Sequence, residues 1–379
     1  MNGSCDAVVL GGGVNGCAIA RELSRDGMKV VLLERGTIGC GTSSNSSKLI
    51  HGGLRYLENG QFGLVRESLK ERKRLAELYP DLVKMVPFYL PVYNDSLRPW
   101  WVIRLGLMFY DVFSRQPLYR SRRVNKRDFS SRFRDIKASG LSQVYVYYDG
   151  KTNDLELTRR LALDARDSGC IVREKCKVED IIVAGGKLEI KYTDDGGKYS
   201  VETPLLINAT GPWIDEVNER YGLPHNYRIT KVSGIHIVVN RELVPDCMFL
   251  QTQNKRIFFM IPWEGRKTII GTTERVEDGR CDEIKVNEDD VDYLLDCANR
   301  YLKTPIERQD ICDTFLGIRP LIRDKKAAKD ATSMSREYKI DVVECRGARV
   351  VHVYGGKLTT CLGMAEKVRR QIQDMDDSK

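Results

Sequence analysis

Ala7-Val8-Val9-Leu10-Gly11-Gly12-Gly13-Val14-Asn15-Gly16 decides the fold. Four apolar residues in a row mark a strand buried on both faces. The glycines after it meet the G-x-G-x-x-G spacing at Gly11, Gly13 and Gly16. A helical stretch follows from Cys17 to Asp26, with Ala18, Ile19 and Leu23 on one face, and Gly27 stops it. Lys29-Val30-Val31-Leu32-Leu33-Glu34 supplies a second strand, so the chain opens as a βαβ unit. In such a unit the first glycine allows the tight turn and the second lets the backbone approach a pyrophosphate. The third lets helix and sheet pack closely, and the helix N-terminus attracts negative charge. Glu34, about twenty residues on, is placed to accept hydrogen bonds from ribose hydroxyls.

Composition narrows what this unit belongs to. The 379 residues are 42% hydrophobic, enough for one large core or two modest ones. A net charge of +8 leaves nucleic acid, an anionic membrane face and anionic small substrates open as partners. No basic cluster interleaved with aromatics forms a nucleic-acid module, so nucleic acid ranks last. The eleven cysteines show neither C-x-x-C nor a metal-ligand spacing, which reads as reduced thiols in a cytoplasmic protein without a metal. The N-terminus runs from Met1 through Asp6 into a strand, leaving no room for a signal peptide. No apolar run approaches the roughly 20 residues of a membrane span. The nearest, Trp100 to Tyr110, is broken by Arg104 and reads as a core helix, or else as an amphipathic surface resting on lipid.

Further along, Gln61 to Tyr79 reads as an amphipathic helix with Val65, Leu69, Leu75 and Leu78 near one face. Residues 85–145 mix prolines, aromatics and basic residues, as a separate sheet or cap would. A helix from Asp154 to Ser168 leads to strands at Val172–Val183 and Lys187–Tyr192, joined by a Gly185-Gly186 hairpin. Pro204 to Gly211 is another buried strand ending in glycine, and residues 228–345 are strand-rich. Val350 to Tyr354, then Gly355-Gly356-Lys357 and a last helix, close the chain. The alternation of two kinds of sequence implies two discontinuous domains. A cofactor-binding domain takes 1–80, 145–228 and 345–379; a substrate-binding or cap domain takes 81–144 and 229–344. Strand-plus-glycine patterns recur at Ala209-Thr210-Gly211 and Gly355-Gly356, which suits a long cofactor clasped by both ends of the chain and favours FAD over NAD. No second fingerprint for a nicotinamide cofactor is present, so a substrate must reduce the flavin directly.

Seven segments then occur in order: "GGGVNG", "TSSNSSKLIHGGLRYLE", "LINATGPW", "KRIFFMIPW", "IIGTTE", "GIRPL" and "VYGGKLTT". Through them the chain resembles the FAD-dependent glycerol-3-phosphate dehydrogenases over nearly its whole length. The resemblance implies an α/β fold: a Rossmann-like FAD-binding domain of the glutathione-reductase and D-amino-acid-oxidase kind, with a second, mainly antiparallel-sheet substrate domain. It implies oxidation of sn-glycerol 3-phosphate to dihydroxyacetone phosphate by hydride transfer from C2 to flavin N5. Electrons would pass to a quinone or another acceptor, in the cytoplasm and with peripheral contact at the inner membrane face as an open alternative. Oligomeric state is left open.

The same resemblance places Gly11, Gly13, Asn15, Gly16, Glu34, Thr42, Ser43, Ser44, Ser47, Lys48 and Leu49 at the cofactor. It adds His51, Gly52, Gly53, Gly211, Gly356, Lys357, Leu358 and Thr359, with Gly52 and Gly53 passing the isoalloxazine, where a Cβ would displace ring or substrate. Arg55, Tyr56, Arg256, Thr272 and Thr273 fall at the substrate, Arg55 as a bidentate phosphate ligand. His236 is the implied base, Arg319 the group that stabilises the developing alkoxide, and Lys357 a second catalytic cation. Taken one at a time, Arg55 could be a solvated surface residue, and Arg256 and Lys357 could form salt bridges elsewhere. His236 alone reads as a core histidine on the alternating run Ile235-His236-Ile237-Val238. No carboxylate in these motifs is expected to pair with the cations, so an anion must complete the cluster.

The chain departs from the family pattern at Glu274 (usually Asp), Ile235 (commonly Ser) and Cys361-Leu362 (usually Tyr-Arg), and is expected to be a short form lacking a C-terminal helical domain. Two rivals stay open: an FAD-dependent amine or 2-hydroxy-acid oxidase of the same fold, and a flavin-bearing RNA-binding or RNA-modifying subunit.

Overall fold

A computed structural model describes residues 2–254, 256–323 and 337–376; Lys255, which opens "KRIFFMIPW", lies outside them. The strand Ala7–Leu10 sits in the middle of a six-stranded sheet, ordered 339–345, 348–354, 205–208, 7–10, 30–33, 171–173. Only the 339–345 edge runs antiparallel to its neighbour. Period-two alternation explains why "AVVL" is buried throughout: Ala7 and Val9 pack among the helices, while Val8 and Leu10 face a second layer. The helices Val14–Arg25, Asp154–Asp167 and Cys361–Asp376 cover the first face. A four-stranded sheet, ordered 2–4, 197–203, 187–194, 177–184, covers the second through Ile181, Leu188, Ile190 and Val201. The Gly185-Gly186 hairpin is present, with both φ angles positive at +58° and +76°.

The other layer is a ten-stranded sheet, largely antiparallel, whose spine runs 275–277, 229–239, 267–271, 257–263, 247–251, 84–93, 141–151, 49–50. The strand Ile311–Ile322 pairs with 229–239 along its length. Helices Lys126–Arg132 and Glu288–Asn299 pack on one side of this sheet, and Phe62–Leu78 with Trp100–Ser114 on the other.

Three expectations change. The expected strand Val172–Val183 is two strands in different sheets, Ile171–Arg173 and Lys177–Ala184. The expected boundaries at 144/145 and 344/345 each cut a strand, since 141–151 belongs to the large sheet and 339–345 to the six-stranded one. A division that follows the sheets runs after Lys151 and before Lys339. The third concerns Trp100–Ser114, which is not a core helix. Ile103, Leu107, Tyr110 and Ser114 form its only buried stripe, at helical spacing. Trp101, Met108 and Val112 are 57%, 50% and 67% exposed, beside Trp100, Leu105 and Phe109.

Candidate active site

A cavity of about 910 Å³ runs between the two large sheets. One wall starts at the end of Ala7–Leu10, where Gly11 turns with φ +101°; a Cβ there would lie 2.7 Å from the Ala209 carbonyl oxygen. Gly16 lets the helix press onto that turn, since its Cβ would lie 1.9 Å from the Gly11 oxygen. The Glu34 carboxylate accepts the backbone N–H groups of Gly12 (2.5 Å) and Gly36 (2.7 Å), which fixes it at the cavity wall. Ser43 Oγ accepts the Val14 N–H at 2.9 Å, docking the Thr42–Ser44 turn on the helix N-terminus, and Thr42 Oγ1 donates to the Ile318 oxygen at 2.8 Å. Asn15 Nδ2 donates to the Gly355 oxygen at 3.1 Å, so the first helix and the Gly355-Gly356 turn meet across 340 residues. Gly211, Gly356, Lys357, Leu358 and Thr359 line the same cavity, as do Ser47, Leu49 and His51. The His51 N–H donates to Thr359 Oγ1 at 3.1 Å. The helix expected directly from Lys357 begins instead as a 3₁₀ turn at Leu358–Thr360, with the α-helix starting at Cys361.

At the other end the strand Ile229–Val239 turns Ile235 and Ile237 into the core and His236 into the cavity, as alternation demands. The imidazole stacks on Phe315 (centroids 4.7 Å apart, planes at 13°), and its Nε2 lies 2.8 Å from Ser47 Oγ. Gly271 of "IIGTTE" makes the room, because its Cβ would fall 2.3 Å from His236 Cδ2. Nδ1 is buried without a hydrogen-bond partner. Burial, then the charges of Arg319 and Lys48, lower the His236 pKa to about 3.

Arg319 lines the cavity half-buried beside it, donating through Nη2 to Thr272 Oγ1 (3.0 Å) and through Nη1 to the Thr273 oxygen (3.4 Å). Burial lowers its pKa to about 10. Among the described residues no carboxylate lies within 4 Å of this guanidinium. Lys357 Nζ stands 4.1 Å over the ring of Tyr56, Arg55 Nη1 lies 3.9 Å from Glu274 Oε2, and Arg256 Nη1 donates to the Glu274 oxygen at 3.2 Å. Thr272, Thr273 and Glu274 are thus a hub on which Arg319, Arg256 and Arg55 converge. The Arg55–Glu274 contact corrects the expectation that no carboxylate in these motifs pairs with the cations.

Several expected cofactor or substrate ligands stand behind the wall instead of in it: Gly16, Ser44, Lys48, Gly52, Gly53, Arg55, Arg256, Thr272 and Thr273. Lys48 Nζ pairs with buried Asp154 at 2.7 Å and bonds the Ser44 oxygen, bracing the loop. Protein atoms already leave no room for a Cβ at Gly52 or Gly53. A Cβ on Gly52 would meet Leu69 at 2.4 Å and Tyr110 Oη at 2.6 Å, and one on Gly53 would meet Tyr56 at 2.1 Å. Sequence reasoning missed Asn45, Gly317 and the far-end lining of Arg35, Trp213 and Asp282. A signal existed for Gly317 in "GIRPL", where a Cβ would lie 2.4 Å from the Asn45 oxygen.

The model of the FAD dependent oxidoreductase (DAO) family matches residues 6–371. The chain belongs to this family of FAD-dependent oxidoreductases. It is 34% identical to the D-erythritol 1-phosphate dehydrogenase of Brucella abortus (strain 2308), covering 98% of this chain and 74% of that one. With the aerobic glycerol-3-phosphate dehydrogenase of Escherichia coli (strain K12) the identity is 36%, over 97% and 73% of the two chains. The glycerol-3-phosphate dehydrogenase from Bacillus halodurans complexed with FAD superposes with a TM-score of 0.77 at 24% identity, over 98% of this chain and 65% of that one. The oxidoreductase's own residues fit FAD. The cavity is long, the glycine turn and helix N-terminus suit a pyrophosphate at one end, and the Arg319 guanidinium, which meets no carboxylate among the described residues, suits negative charge at the other.

Proposed function

We propose that the oxidoreductase oxidises a short polyol phosphate, with sn-glycerol 3-phosphate as the leading substrate and dihydroxyacetone phosphate as product. The observation that carries this is the half-buried Arg319 guanidinium lining the cavity without a carboxylate among the described residues, set near Arg55, Arg256 and Lys357. A buried cation is costly until an anion completes it, and a phosphate monoester supplies up to two charges. Two relatives named for phosphorylated polyols support the same class. An amine or 2-hydroxy-acid oxidase would need only one carboxylate-binding arginine, so the larger cluster disfavours that rival.

FAD bound in the cavity supplies the two-electron acceptor. Arg55 and Arg256, held on Glu274 behind the cavity wall, add positive charge on the side where the phosphate binds. Arg319 donates N–H groups to the substrate hydroxyl oxygen as it gains charge, held in line by Thr272 and Thr273. His236, neutral at pH 7, offers an imidazole lone pair to the departing proton. A substrate anion offsets the Arg319 field that depresses its basicity. Anaerobic addition of glycerol 3-phosphate to the yellow holoenzyme is expected to bleach the visible flavin band, with D-erythritol 1-phosphate as the second arm. Bleaching by amino or 2-hydroxy acids alone would overturn the reading.

His236 also leaves a signature in stability. Its folded pKa of about 3 lies below the unfolded value of 6.5, so the unfolded chain takes the proton first. This contribution is complete above pH 6.5 and is lost as pH falls towards 3, at up to about 1.4 kcal/mol per pH unit. Denaturant titrations of wild type and His236→Asn check this: their stability difference should be level above pH 6.5 and shrink below it. A difference independent of pH would contradict it.

Membrane contact and the electron acceptor belong to the same proposal. No helix among the described residues is long and apolar enough to cross a membrane. The apolar outer face of Trp100–Ser114 is flanked by exposed Arg115, Arg120, Arg122 and Arg123, with Leu118 89% exposed between them. This pairing of apolar and basic residues suits an anionic leaflet, where each cation contributes about 1 kcal/mol and a quinone would be at hand. Trp101→Glu with Val112→Glu is expected to lower co-sedimentation with phosphatidylglycerol vesicles at least tenfold while leaving FAD bound; undiminished sedimentation would remove the helix from the lipid contact.

A further inference from the structure

Gly52 follows His51 in the loop that lines the cavity, and its backbone N–H is held by a buried polar triad. The N–H donates to Tyr110 Oη at 2.9 Å and to Asp149 Oδ1 at 3.2 Å, and the Tyr110 hydroxyl donates to the same Asp149 oxygen at 2.6 Å. Arg72 Nη1 donates to Asp149 Oδ1 and to the Tyr148 oxygen, both at 2.7 Å, while its Nη2 donates to Gln116 Oε1 at 2.7 Å. Arg72, Tyr110 and Asp149 are 1%, 2% and 2% exposed. They come from three different elements: the helix Phe62–Leu78, the outward-facing helix Trp100–Ser114 and the strand Leu141–Lys151.

Such a triad is an unusual way to fill space. Apolar residues of equal volume would pack there without the desolvation cost of an ion pair. What the ion pair does secure is a fixed acceptor for one amide. Leu69 and Tyr110 Oη also leave Gly52 no lateral room. One residue earlier, the His51 N–H is fixed from the other domain by Thr359 Oγ1. The peptide units at 51 and 52 are therefore clamped from both sides, while His51 and Tyr56 present side chains to the cavity.

We propose that Tyr110 and Asp149, held by Arg72, are positioning residues that set the His51–Gly53 loop against the bound flavin and substrate and couple it to the helix Trp100–Ser114. A displacement of that helix moves Tyr110 Oη, and the loop with it. The substrate half of the claim rests on the polyol-phosphate reading; the flavin half does not.

The test uses the holoenzyme carrying Tyr110→Phe, which removes one hydroxyl and leaves Asp149 paired with Arg72. Visible circular dichroism of the bound flavin reports the ring's surroundings and needs no substrate. It is expected to change at unaltered FAD content, with the melting temperature within about 3 °C of wild type, the scale of roughly 2 kcal/mol in a chain of this size. Anaerobic flavin reduction by glycerol 3-phosphate should slow about tenfold with substrate affinity held within twofold. Asp149→Asn, which strands Arg72, should be worse on both readouts or fail to fold. An unchanged dichroism spectrum together with an unchanged reduction rate in Tyr110→Phe overturns the proposal. A changed spectrum in an enzyme that glycerol 3-phosphate never reduces upholds the flavin half and sinks the substrate reading alone.

Discussion

Arg319→Met is expected to lower kcat/KM for glycerol 3-phosphate by about 10²- to 10³-fold, the scale of losing one preorganised donor to a developing oxyanion. The same variant should keep FAD and melt no lower than wild type. The guanidinium is half-buried in the cavity wall, its pKa lowered by desolvation, and its hydrogen bonds among the described residues go to Thr272 and Thr273 oxygens, not a carboxylate. A cation in that position costs folding free energy until a substrate anion arrives, so an unbranched thioether of similar reach should relieve the fold while disabling the reaction. Steady-state kinetics and a thermal melt of the same preparation check both halves. Loss of stability with kinetics intact would mean that Arg319 is a structural cation.

Gly11→Ala should abolish cofactor retention, with FAD per mole of protein falling more than tenfold. At φ +101° an alanine is strained before any contact is counted, by about 1–2 kcal/mol. Its Cβ would also lie 2.7 Å from the Ala209 oxygen and 3.1 Å from Thr210 Cα, both backbone atoms that cannot swing aside. Relief would have to come from pushing the 209–211 turn into the cavity it lines. The control is Gly63→Ala in the helix Phe62–Leu78, where nothing lies within 4 Å and alanine should stabilise by about 0.5–1 kcal/mol. Flavin absorbance against protein absorbance reads both. Full occupancy in Gly11→Ala would show that the turn does not shape the cofactor site.

The contrast between these glycines shows what was legible in the sequence. The nucleotide end could be read because its determinants are local: a four-residue buried strand, a turn that needs positive φ, a helix start, and Glu34 at the end of the next strand. A convergence of Arg55, Arg256, Arg319 and Lys357 was expected through family resemblance rather than spacing; Arg319 and Lys357 line the cavity, while Arg55 and Arg256 stand behind its wall. The contacts that demand Gly52 and Gly53 were hidden. Their neighbours Leu69, Tyr110 and Tyr56 belong to packing that no local pattern encodes. The Arg55–Glu274 pair is invisible for the same reason, with more than two hundred residues between its partners. Sheet membership failed where composition is uniform across a boundary, as at Val172–Val183. In Trp100–Ser114 the hydrophobic residues exceed what one face can bury, and sequence alone does not say which side meets protein.

The bond from Asn15 to the Gly355 oxygen spans 340 positions and has a consequence for biosynthesis. The strand Ala7–Leu10 has 205–208 as a neighbour, and that strand in turn leans on 348–354. While a ribosome is still making the first three hundred residues, the fingerprint turn has emerged but the Gly355-Gly356 side of its clasp does not exist. At translation speeds of about 5–20 residues per second, the nascent turn waits many seconds for its partner. Flavin capture by both sides of the clasp therefore follows synthesis of the Gly355-Gly356 turn and does not proceed stepwise as the first strand and helix emerge.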